Sequence, residues 1–298
     1  MKVRIGLGLG TQSMRDPARH FAPFVDALER EGFDSVWFSE RLTGSALDPV
    51  VAAAVAAGRT THLKVGFSVL ILPGRNPVVL ASELASLDVL SAGRLLPAVG
   101  LGAADPHEQQ AFGVAREERA AWLDEALPLL RRLWSEDDVD HDGPRFSYTG
   151  LRVGPKPVQE TFDVWLGGRA PAELRRVGRL GDGWLPSFTT PEEAVEGRAV
   201  VEAAAAGAGR SIDPEHWGVL VAYAHAPLPD VVVERLRRRV PDVDPVDVVP
   251  VGLDALRTRL ERFVDVGFSK FVVVPIVEPP DWDEEVGAVA AALLALQA

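Results

Sequence analysis

Short runs of β-branched and aromatic residues alternate along the chain with longer stretches whose apolar positions recur every three to four residues. Residues 3–9 read as a strand, and residues 17–31 carry Phe21, Phe24, Val25 and Leu28 at helical spacing before a stop at Gly32. A second strand at 35–38 precedes a helix that opens at Asp48 and Pro49, an N-cap residue with proline in the first turn, and ends at Gly58. Residues 63–72 and 77–90 make a third unit, and 95–101 with a helical region from about 106 to 134 a fourth. Periodicity then fails over 141–157, where Gly143, Pro144, Tyr148, Gly150 and Pro155 predict a hairpin or irregular insertion. It resumes with strand and helix at 164–166 and 171–180, at 183–185 and 191–206, and at 217–224 and 231–240. After a connector over 241–250 come a helix at 253–266, a strand at 271–275 and a last helix from Asp281.

Eight such units with nearly continuous apolar strands predict parallel pairing buried on both faces, and eight is the number at which a parallel sheet closes. The expected fold is a (β/α)8 TIM barrel over residues 1–298, one domain with an insertion between strands 4 and 5. An open doubly wound sheet is the alternative. In either case the residues that follow each strand are those to inspect for chemistry.

Composition narrows the function classes. With 298 residues and 47% hydrophobic positions the chain has material for a large core, and its net charge of −12 disfavours nucleic acid and anionic lipid. Cysteine is absent, which removes disulfides, thiolate metal sites and cysteine nucleophiles and fits a cytoplasmic setting. No signal peptide or membrane span is expected. The six histidines show no metal-binding spacing, so no metal site is expected, and neither a G-x-S-x-G elbow nor a P-loop is present.

Four places stand out. Gly6, Gly8 and Gly10 lie in and just past the first strand, either to admit a ligand or because the barrel interior is crowded there. Glu40 and Arg41 close the second strand. As a charged pair facing the mouth, they are expected to affect turnover more than folding; the alternative is an exposed ion pair. His107 and Glu108 follow the fourth strand, where acid–base work and an exposed helix start explain them equally well. Trp165-Leu166-Gly167-Gly168-Arg169-Ala170-Pro171 leaves a strand and opens a helix, which predicts an anion site at backbone N–H groups with Arg169 beside it; a tight turn is the alternative.

Several runs in order resemble the luciferase-like flavin-dependent oxidoreductases: 31–37 (EGFDSVW), 72–81 (LPGRNPVVLA), 87–94 (LDVLSAGR), 150–157 (GLRVGPKP) and 165–186 (WLGGRAPAELRRVGRLGDGWLP). The resemblance implies a flavin or deazaflavin ring over a bulge at Ser68 and Val69, often with a non-prolyl cis peptide. It also implies cofactor phosphate at Gly167, Gly168 and Arg169, with Trp184 near it. Two departures stand out: Arg41 follows Glu40 where relatives carry histidine, and Ala103 replaces a tryptophan or glutamate, which points away from a sugar-phosphate dehydrogenase. The expected activity is hydride transfer between coenzyme F420 and a small organic substrate. The alternatives are an FMN-dependent monooxygenase served by a flavin reductase and a barrel that binds flavin without catalysis. A homodimer is expected.

Overall fold

The computed structural model describes residues 1–11, 14–241 and 243–297, so Asp242 of the predicted connector lies outside the described residues. Eight parallel strands form a closed (β/α)8 barrel. They are β1 (Arg4–Gly8), β2 (Ser35–Phe38), β3 (Lys64–Phe67 with Leu70–Ile71), β4 (Leu95–Leu96 with Ala98–Gly100), β5 (Trp165–Leu166), β6 (Gly183–Trp184), β7 (Gly218–Tyr223) and β8 (Lys270–Pro275). One ladder runs β7-β8-β1-β2 and on through the first segments of β3 and β4; another joins the second segments of β3 and β4 to β5 and β6. The circle closes between β6 and β7 through single bridges, Trp184 to Trp217 and Ser187 to Leu220.

The helices follow the predicted order: α1 (Pro17–Glu31), α2 (Pro49–Arg59), α3 (Pro77–Leu90), α4 (Pro106–Phe112), α5 (Arg119–Ser135), α6 (Pro171–Leu180), α7 (Pro191–Gly207), α8 (Asp230–Arg239), the one-turn α9 (Pro245–Val248), α10 (Leu253–Asp265) and α11 (Trp282–Leu293). The helical region expected over 106–134 divides in two, because Gly113 takes φ 66° and ends α4 in a left-handed cap. The strand expected over 63–72 is interrupted at Ser68 and Val69, whose peptide is cis. The predicted hairpin is present as antiparallel strands Val139–Asp142 and Ser147–Leu151.

Strand alternation explains the glycines. Ile5 and Leu7 of β1 point outward into the helix layer, so Gly6 and Gly8 face the axis. Two tryptophans fill that axis, Trp37 from β2 and Trp165 from β5. A Cβ at Gly6 would lie 2.5 Å from the Trp37 indole nitrogen, one at Gly66 2.6 Å from its ring, and one at Gly218 2.8 Å from the Trp165 ring. The crowded-barrel reading of Gly6 is therefore the one the structure supports. Above the tryptophans the inward positions are small, among them Gly8, Gly100, Gly167 and Ala222, and this C-terminal end of the strands is the barrel's mouth.

Candidate active site

The floor of this mouth is built by β2 and β3 together. Ser39 donates from Oγ to the Ser68 carbonyl at 2.8 Å, the Ser68 N–H reaches the Phe38 carbonyl at 2.9 Å, and the Glu40 N–H reaches the Val69 carbonyl at 3.3 Å. These bonds clamp the interruption of β3 and aim Val69 inward. Its methyls then occupy space that only glycine leaves open: a Cβ at Gly100 would stand 2.7 Å, and one at Gly167 3.2 Å, from Val69 carbons. Val69 stays half-buried at the bottom of the mouth, flanked by the bare backbones of β4 and β5.

Glu40 is placed differently from the sequence expectation. Its side chain is 1% exposed, and both oxygens are engaged by β3 and the loop after it: Oε2 accepts the Ile71 N–H at 2.6 Å, and Oε1 accepts from Arg75. The carboxylate thus stands in for a backbone acceptor where the cis bulge breaks the ladder. Burial pushes its pKa up, while Arg75 and the Ile71 N–H hold it down.

Arg41 does not pair with Glu40. Its guanidinium turns to the rim and meets Asp105 Oδ2 at 3.1 Å, with the arginine side chain 38% exposed. Asp105 also caps α4 through the N–H groups of His107 and Glu108, which lower its pKa most. The exposed helix start expected at 107–108 holds for His107 alone. Glu108 is buried, and its Oε1 accepts the Thr43 N–H at 2.7 Å and the Thr43 hydroxyl at 2.5 Å, which pins the loop after β2 to α4.

The turn after β5 also departs from expectation. Gly168 has φ 110°, which favours glycine. The N–H groups of Arg169 and Ala170 are not open to an outside anion in this conformation, because Glu173 Oε2 accepts both at 2.9 Å. A glutamate three residues into a helix reaches back to the entering backbone, as sequence reading allows once that position is inspected. The Arg169 guanidinium donates to the Phe188 carbonyl at 2.5 Å and lies 3.8 Å from Glu193. Trp184 is buried and points outward, against Trp217 and Phe268; its indole N–H donates to the Gly168 carbonyl at 2.9 Å. It is a positioning residue for the turn and not a wall of the mouth. Trp184→Phe is expected to keep the packing, lose that bond, and cost about 1 kcal/mol in urea unfolding.

Arg239, at the end of α8, was missed because it sits in a run of arginines that reads as a solvated face. Its guanidinium stacks 4.7 Å over the Phe188 ring and lies 3.5 Å from Ser187 Oγ. Phe188, held at φ 53°, thus receives Arg169 on its carbonyl and Arg239 on its ring. Surrounding protein, then cationic Arg169 and Arg41, lower the Arg239 pKa, yet the side chain keeps solvent access. Arg41 follows β2 and Arg239 lies against Ser187 and Phe188 after β6, and the two are near enough for Arg41 to lower the Arg239 pKa. Among the described residues no cluster of histidine, aspartate and glutamate could hold a metal, and no helix is long and apolar enough to cross a membrane.

A family model described as luciferase-like monooxygenase matches residues 1–249. An F420-dependent glucose-6-phosphate dehydrogenase from Segniliparus rotundus is 33% identical over 196 residues, 62% of this chain and 58% of that protein. The chain spans just over half the length of this relative and of two more at 30–32% identity, 53–58% of each, while enzymes of the same name from Nocardia farcinica and Gordonia bronchialis, at 27–28% identity, are matched over 72% and 81% of their length. Among solved structures, an F420-dependent secondary alcohol dehydrogenase in complex with an F420-acetone adduct superposes with TM-score 0.82 at 20% identity, each chain covered fully. The monooxygenase RslO1 from Streptomyces bottropensis does so with TM-score 0.77 at 23% identity, over 98% of this chain and 99% of that one. At these identities the structures speak to the fold.

Proposed function

Because the chain belongs to the luciferase-like monooxygenase family, we propose that it is an oxidoreductase that transfers hydride between coenzyme F420 and a small organic substrate. The observation that carries this reading is the mouth itself: a floor of Val69 between Gly100 and Gly167, under a rim holding Arg41, Arg169 and Arg239, in a chain of net charge −12. A planar deazaflavin on a phosphate-bearing chain fits such a donor set, and relatives named for F420 support the choice over FMN.

The cofactor, when bound, supplies the hydride at ring carbon C5; the protein supplies placement and exclusion of water. Ser39 and Glu40 fix the bulge and so fix Val69, which with Gly100 and Gly167 would hold the ring. Arg169 would hold the phosphate with its guanidinium, the Arg169 and Ala170 amides being taken by Glu173. Arg41 and Arg239 would favour negative charge on the bound substrate.

The test is a titration of apoprotein with F420 and with FMN, followed by tryptophan fluorescence. F420 is expected to saturate at a concentration at least tenfold below FMN, and Arg169→Ala to weaken F420 by about fivefold, on the order of 1 kcal/mol. Tighter FMN binding would move the reading to an oxygen-using monooxygenase, and binding of neither would remove it.

A further inference from the structure

At the end of the barrel opposite the mouth, the interior is charged. Arg4 of β1, Lys64 of β3 and Lys270 of β8 occupy the bottom inward positions, in register with the glycine layer above. Asp34 serves two of them: its Oδ1 lies 3.3 Å from Arg4 and 2.9 Å from Lys64. Lys270 takes another course. It reaches across the base from β8 to β5 and places Nζ 5.1 Å from the centroid of the Trp165 ring. There it borders a cavity of about 50 Å³ lined by Trp37, Leu96, Asp163, Trp165, His216 and Lys270. That volume holds several waters or one two-carbon group.

The chain has four lysines. Lys64 is paired with Asp34, Lys156 donates to the carbonyls of Leu133 and Glu136 at 2.7 and 2.5 Å, and Lys2 is exposed. Among the described residues, Lys270 alone of the four is enclosed with no carboxylate or carbonyl bonded to its ammonium. Its cavity neighbours are committed elsewhere: His216 Nδ1 lies 2.9 Å from the Asp182 carbonyl, and its Nε2 lies 3.8 Å from Asp163. Trp165 favours the ammonium form. Burial, Lys64 and Arg4 work against it and prevail over Asp34 and Glu215, so the amine loses its proton more readily than an ordinary lysine.

We propose that Lys270 is a modification site, a nucleophilic amine that accepts an acetyl group from a small acyl phosphate. The Nζ lone pair attacks the carbonyl carbon and an N–C bond forms. The C–O bond to phosphorus breaks, inorganic phosphate leaves with the electron pair, and the proton lost by nitrogen passes to solvent. The product amide carries no charge, so it ends the repulsion from Lys64 and Arg4, and its acetyl group fills the cavity between Trp37 and Trp165.

The whole chain is incubated with acetyl phosphate between pH 6.5 and 9, and the rate at each lysine is read by peptide mass spectrometry. Neutral amine at pH 7 rises about tenfold for each unit by which a lysine pKa falls. Lys270 is expected to react at least tenfold faster than exposed Lys2 at pH 7, with the advantage shrinking as pH rises and Lys2 also deprotonates. Lys64→Met, which removes the neighbouring cation, should slow Lys270 several-fold and leave Lys2 unchanged. A wild-type rate at Lys270 equal to or below that of Lys2 overturns the proposal, whatever the variant does.

Discussion

Glu40→Ala is expected to cost about 3 kcal/mol of folding stability, measured by urea unfolding at pH 7. The variant strands two groups at once: the Ile71 N–H, buried where the ladder is already broken, and Arg75, which loses the carboxylate it faces. An orphaned buried donor and a broken, largely enclosed ion pair each cost more than the intact contact contributes. Glu40→Gln keeps an acceptor for Ile71 and should cost less than half as much. The pH dependence has a definite sign. Because the Glu40 carboxyl sits above its ordinary 4.5, the folded chain binds that proton more tightly than the unfolded chain. Its contribution is therefore complete below about pH 4.5 and is lost as pH rises through the raised value. Glutamine does not titrate, so the stability of wild type relative to Glu40→Gln should fall with rising pH. A difference that stays level from pH 4 to 8 contradicts this account.

Gly100→Ala is expected to weaken F420 binding by at least 30-fold, about 2 kcal/mol. The backbone at Gly100 suits alanine, since its φ lies outside the left-handed region; the obstacle is the Val69 methyl 2.7 Å from the new Cβ. Val69 cannot retreat, because its carbonyl is held by the Glu40 N–H and the residue before it by Ser39 and Phe38. The overpacking therefore lifts Val69 into the mouth. Val69→Ala removes the offending methyls, so the double variant should recover most of the affinity lost by Gly100→Ala alone. Equal losses in the single and double variants, by fluorescence titration, would show that the damage lies elsewhere.

The barrel was legible because strand and helix periodicities differ and because eight repeats suffice to close a sheet. Asp48, followed by proline, also marked a helix start that the structure contains, and Asn76 and Asp105 cap α3 and α4 in the same context. The site was legible by position and not by partner. Ser39, Glu40 and Arg41 do end β2, but alternation sends Glu40 into the wall and leaves Arg41 at the rim. Neighbours in sequence thus came to serve different purposes: Glu40 holds β3, and Arg41 meets Asp105 sixty-four residues away. Contacts of that separation leave no local trace. Arg239 was hidden for a related reason, since only the packing of Phe188 distinguishes it from Arg237 and Arg238. Glu173 was readable, as its spacing from the helix start is that of a glutamate whose carboxylate accepts from the N-cap N–H.

The wall between β6 and β7 is stitched by single bridges, while its outer side carries Trp184 edge-on to Trp217 at 6.5 Å, with Phe268 against both. Where the other strand pairs share ladders, this one adds aromatic contact to its bridges. Its grip therefore combines that contact with two backbone hydrogen bonds, from the Trp184 N–H to the His216 carbonyl at 3.1 Å and from the Leu220 N–H to the Pro186 carbonyl at 2.8 Å. The aromatic share of that grip weakens on cooling, while the two backbone hydrogen bonds beside it do not depend on apolar association.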